Sequence, residues 1–195
     1  MSDRGDSEPG GHLLLGILQL ALLRAEGMRQ FGGTRQAFLN SFAPLLAFPL
    51  VGAVLDVVSG ARPEDLAALF GGLVALLAPP VLSEAMARLF GREREWLRYA
   101  TAFNWTRWVM LLALGATLML MGSLAAAGFS DHAAVTLGVL AVLTYSIVLD
   151  WFVARVGLRL SAWRAVVLVV VVNLGAGLLS LGPHLLTALP EVPTP

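Results

Sequence analysis

Residues 98–122 read RYATAFNWTRWVMLLALGATLMLMG. After Trp108 the apolar run is interrupted only by glycine, alanine, Thr117 and Ser123, and it continues to about residue 127. A helix needs roughly 20 apolar residues to cross a bilayer core. The run over 99–127 exceeds that length, and it is continuous rather than alternating, so it predicts a spanning helix and not a barrel strand.

Working outward, four further runs have the same character, at about 37–58, 65–88, 133–154 and 163–187. Short connections with breakers or charges separate them: SGARPE, LFGREREWLR, GFSDHA and RVGLRLSAW. The expected fold is therefore all-α, a polytopic membrane protein with five transmembrane helices over 37–189. Composition agrees. The 195 residues are 57% hydrophobic and 13% charged, with a mean hydropathy of +0.78. A soluble domain is about 25% charged, so this chain has too little charge to cover itself in water.

Ahead of the spans, MSDRGDSEPGG (1–11) is polar and acidic, and it predicts a disordered tail. HLLLGILQLALLR follows, with an apolar core of about 11 residues, too short to span. Residues 12–36 predict an interfacial amphipathic segment. A retained signal-like segment over 12–24 is the second reading, although Arg24 and Glu26 stand where small cleavage-site residues belong. Residues 190–195 form a short C-terminal tail.

Arginine sets the orientation. Arg4, Arg24, Arg29 and Arg35 precede the first span, Arg88, Arg92, Arg94 and Arg98 follow the second, and Arg155, Arg159 and Arg164 follow the fourth. The opposite side receives Arg62 alone. The positive-inside rule places the rich side in the cytoplasm of a bacterial inner membrane, with the N-terminus inside and the C-terminus in the periplasm. All five tryptophans, at 96, 105, 108, 151 and 163, fall at that same end, as an aromatic belt does.

Charge inside a span demands a partner. Arg107 lies roughly 13 Å along the helix from Arg98, and Asn104, three residues earlier, shares its face. Glu84 and Asp150 sit just inside the same end of spans two and four. The four residues predict an intramembrane polar cluster: a clamp between helices, or a ligand or ion site. Pro79 and Pro80 predict a kink or break in span two, since neither can donate to the carbonyls of Ala75 and Leu76. Asn173, beside Gly175 and Gly177, predicts a hydrogen bond across closely packed helices.

Much chemistry is excluded. There is no cysteine, and the histidines at 12, 132 and 184 are far apart, so no metal site is expected. No catalytic constellation or phosphate loop appears, so neither enzymatic activity nor a cofactor is expected. Zero net charge gives no reason to expect nucleic acid. The expected partners are the bilayer, with anionic lipids at the arginine-rich loops, and a second copy or another membrane protein.

The layout resembles the Yip1 superfamily in its cytoplasmic N-terminus, five close spans and short C-terminal tail. LRYATAFNWTRWV is similar to the stretch that opens the third span in five-span membrane proteins of alphaproteobacteria, through Tyr99, Ala102, Phe103, Asn104 and Trp105. The resemblance implies a membrane-organising or adaptor role. Eukaryotic Yip1 proteins are implicated in vesicle trafficking and bind small GTPases through a longer N-terminal region. With about 36 residues before span one, that role is not carried over. The alternative expectation is a small-solute transporter or channel subunit, using the proline-interrupted second span and the Arg107 cluster.

Overall fold

A computed structural model describes residues 9–60 and 63–187. Among these residues the chain is helical without strands. The helices are α1 (Pro9–Ala21), α2 (Arg35–Val58), α3 (Pro63–Leu89), α4 (Glu93–Ala126), α5 (Asp131–Gly157) and α6 (Ala162–Thr187), with a short 3₁₀ helix over Ala25–Gln30. Helices α2 to α6 are the five expected spans, each long and apolar enough to cross a membrane. Leu112, Met119 and Leu178 are at least 70% exposed, as hydrocarbon-facing side chains are and a water-facing surface is not. The chain is an integral membrane protein.

The N-terminal expectation shifts in two ways. α1 starts at Pro9, inside the stretch read as tail, and proline is well suited to a first helical position. The 3₁₀ helix lies within residues 12–36, read as an interfacial amphipathic segment, where no separate element was expected. Residues 1–8 and the tail over 190–195 lie outside the described residues.

α1 is apolar on two faces. Leu20 is buried against the bundle, while Leu14, Leu15 and Leu18 are exposed. The 3₁₀ helix folds back along α1, where a Cβ on Gly27 would come within 2.7 Å of Gly16 O. Tyr145 Oη on α5 donates to Ala21 O at 2.9 Å and ties α1 to the bundle.

α3 packs chiefly on α6 and α4 on α5, with α2 against α4. The core is concentrated at the arginine-rich end. Tyr99, Ala102, Leu149, Val153, Ala154, Leu158 and Leu168 are buried there, together with Met28 and Phe31 from the N-terminal segment. Toward the other end fewer residues are buried. Contact there includes the close approach of α4 and α5 at Gly138, where a Cβ would meet Met121 and Thr117 side chains.

The helix ends follow one pattern. After α3, Arg92 N bonds to Ala87 O and Gly91 N to Arg88 O, with Gly91 at φ +66°. After α4, Phe129 N bonds to Leu124 O and Gly128 N to Ala125 O, with Gly128 at φ +91°. These are Schellman caps, in which a left-handed residue turns the chain and satisfies the last carbonyls. The same pattern closes α1 with Leu23 at φ +56°, and a matching Leu160 N to Arg155 O bond closes α5 with Arg159 at φ +51°.

Candidate functional site

In hydrocarbon a polar side chain must find a partner in the protein. The hydroxyls mostly use their own helix. Thr101, Thr106, Thr117 and Ser123 each donate to a carbonyl three or four residues back. Asn104 and Arg107 reach further.

Asn104, 3% exposed, donates through Nδ2 to Ser41 Oγ at 3.0 Å, joining α4 to α2. Arg107 forms an ion pair with Asp150 at 3.5 Å, joining α4 to α5, and its guanidinium stacks 4.1 Å from the Phe103 ring. Asn173 donates to Val169 O at 2.9 Å on its own helix and not, as expected, across to a neighbouring one. Three of the four residues expected to cluster thus lie on one polar thread through α2, α4 and α5.

Glu84 is not on that thread. It pairs with Arg88, four residues on along α3, at the arginine-rich end. Glutamate four residues before arginine is the favourable helix-surface spacing, and both side chains stay partly solvated there, at 39% and 66% exposure. Reaching Arg107 would have required desolvating the carboxylate.

The prolines do not break α3. The helix continues from Pro63 to Leu89 with Pro79 and Pro80 inside it. What they change is local. Ala75 and Leu76, whose carbonyls lose the proline N–H, line a cavity of about 370 Å³. Asn104, Arg107, Asn173 and both prolines line the same cavity. The two features singled out separately in the sequence therefore meet in one place. Gly175 lets α6 approach α3, since a Cβ there would come 2.6 Å from Leu82 Cδ1. Gly177 has nothing within 4 Å.

The tryptophans gather at the arginine-rich end as expected, and two bond their N–H to the protein. Trp96 Nε1 donates to Ser83 Oγ and Trp151 Nε1 to Ala162 O, both at 3.1 Å. Sequence reasoning missed Ser41 and Ser83, which carry no signal of their partners. It also missed a second cavity of about 370 Å³ where the 3₁₀ helix, α4 and the α5–α6 turn meet. Arg29, Arg94, Arg98 and Arg159 line it, with Glu95 as its one carboxylate. The four-residue spacing of Arg94 and Arg98 was the available signal, because it places both on one helix face. No family model, curated protein or solved structure matches the chain.

Proposed function

We propose that this is a non-enzymatic protein of the bacterial inner membrane, Yip1-like in layout, that organises or links membrane components through its arginine-rich end. That end faces the cytoplasm, and the C-terminus faces the periplasm. The observation that carries the reading is how charge is distributed. Inside the spans, Arg107 is paired with Asp150 and Asn104 with Ser41, so the intramembrane polar groups are tied to one another as a clamp. At the arginine-rich end, Arg29, Arg94, Arg98 and Arg159 have no ion-pair partner among the described residues. Charge available for contacts is thus at the surface, where it recognises acidic partners or anionic headgroups.

A second reading, a small-solute transporter or channel subunit, is favoured by the cavity that joins Arg107, Asn104 and Asn173 to the proline-flanked backbone of α3. The chain has no cysteine, so single cysteines at Leu45, Leu76 and Ala176 test the two directly. The organising reading expects a membrane-impermeant thiol reagent to label these sites from one side at most. Labelling from both sides, with the side set by a solute, overturns it in favour of transport. A reporter fused after Pro195 is expected to be active in the periplasm, and activity in the cytoplasm overturns the orientation.

A further inference from the structure

The arginine-lined cavity has features a solvated charge run lacks. Its four arginines come from three separate parts of the fold: Arg29 from the 3₁₀ helix, Arg94 and Arg98 from the first turns of α4, and Arg159 from the turn after α5. Four arginines, all exposed, and one carboxylate, Glu95, line it. Arg94 and Arg98 are like charges four residues apart on one helix, an arrangement that repels.

The framework behind them is packed. Met28 lines the cavity and is buried, and Gly157 lies so close to Tyr99 and Met28 that a Cβ would meet both at 3.0–3.2 Å. Leu158 and Leu160, on either side of Arg159, are buried as well. Arg98 stands against Gly33, where a Cβ would be 3.6 Å from its own. The arginines are therefore mounted on a fixed frame. Arg159 also occupies the left-handed cap position that glycine fills after α3 and α4. A glycine would turn the chain there without strain, so arginine holds this position at a backbone cost, as Leu23 does after α1.

We propose that this cavity is a binding site for a phosphate group, held by Arg29, Arg94, Arg98 and Arg159. The planar guanidinium fork matches phosphate oxygens two at a time, and four arginines lining one cavity suit a multiply charged phosphate rather than a lone carboxylate. The N-terminal end of α4 adds its partial positive charge. Two sources carry this chemistry, an anionic phospholipid headgroup and a soluble phosphorylated molecule. The proposal deepens the reading of the arginine-rich end as the working surface. It is measured on the purified chain with no partner present, so the two can fail separately.

The test uses the full chain in neutral detergent at fixed ionic strength. Short-chain phosphatidylglycerol and inorganic pyrophosphate are titrated separately and then in competition, with thermal stability and native mass spectrometry as readouts. Saturable stabilisation by at least one probe is expected. Saturation by phosphatidylglycerol alone identifies a headgroup site, and pyrophosphate that saturates and displaces the lipid identifies a soluble ligand. Arg98→Gln and Arg159→Gln are each expected to weaken binding about fivefold, with Arg98→Lys and Arg159→Lys recovering part of it. Arg164→Gln removes the same charge at the same end but outside the cavity, and a change below about twofold is expected. Equal losses from all three glutamine variants overturn the proposal in favour of diffuse surface charge. Absence of saturable binding by either probe overturns it outright. Circular dichroism confirms that each variant has kept its helices.

Discussion

The Asn104 amide on α4 donates to Ser41 Oγ on α2 at 3.0 Å, and Ser41 in turn donates to Phe38 O at 2.7 Å. The two residues are 63 positions apart and both are buried. The bond is asymmetric, and so are the consequences of breaking it. Ser41→Ala leaves a buried amide N–H with no acceptor, an expected loss of about 1–2 kcal/mol. Asn104→Ala leaves a serine whose own proton still reaches Phe38 O, an expected loss of about 0.6–1 kcal/mol from this bond. Unfolding in mixed micelles measures both. A larger loss for Asn104→Ala than for Ser41→Ala would show that the amide matters through its volume and not through this bond.

Arg107 and Asp150 differ in the same way. The Asp150 side chain is 12% exposed and that of Arg107 33%. Asp150→Asn leaves an arginine that keeps the Phe103 ring and can extend toward the membrane surface. Arg107→Gln leaves the largely buried Asp150 carboxylate without its ion-pair partner. We expect Arg107→Gln to cost about 2–3 kcal/mol and Asp150→Asn about 1 kcal/mol, discounted for the partial exposure of the arginine. The exchange Arg107→Asp with Asp150→Arg is expected to recover at least half of the loss from either reversal alone. Additive losses in that double variant would remove the ion pair as a clamp between α4 and α5.

Two glycines make opposite forecasts from similar distances. A Cβ on Gly27 meets backbone, Gly16 O at 2.7 Å and Leu20 N at 3.0 Å, whereas one on Gly175 meets the end of the Leu82 side chain at 2.6 Å. Backbone cannot step aside and a leucine methyl can. Gly27→Ala is expected to cost about 1–3 kcal/mol and to lift the 3₁₀ helix from α1. Trypsin would then cut faster after Arg24 and Arg29. Gly175→Ala is expected to cost less than about 1 kcal/mol and to leave trypsin cleavage unchanged. Equal protease resistance of Gly27→Ala and the parent chain would mean that the α1 contact is not formed.

These contrasts mark where the sequence stops being readable. The spans were legible because hydrocarbon accepts long apolar runs and little else, so α2 to α6 follow the runs within a few residues. Gly91 and Gly128, which cap α3 and α4, lie in the breaker-bearing connections LFGREREWLR and GFSDHA. The 3₁₀ helix was not legible, because Ala25–Gln30 carries no apolar period and is held by packing on α1. Partners across helices depend on how each helix is rotated, which composition does not encode. Asp150 was within reach of Arg107 and pairs with it, whereas Glu84 was counted as a second partner although Arg88 stood four residues away on its own helix. The arginine cavity was hidden for the same reason. Its members are scattered from position 29 to 159, and only the fold brings them together.

The last prediction separates stability from binding at one residue. Arg159 sits at φ +51°, where a side chain costs roughly 1–2 kcal/mol relative to the right-handed region. Glycine relieves that strain and returns about 0.5–1 kcal/mol of it as extra freedom in the unfolded chain. Arg159→Gly is therefore expected to be as stable as the parent or more stable by up to about 1 kcal/mol, while its affinity for the phosphate probe falls about fivefold. Leu23→Gly is the control, since Leu23 holds the same conformation at φ +56° and does not line the cavity. It should show the relief without any change in phosphate binding. If Arg159→Gly and Arg159→Lys both unfold more readily than the parent and bind the probe equally well, the guanidinium is a structural tie and the strain at this cap serves the turn rather than a ligand.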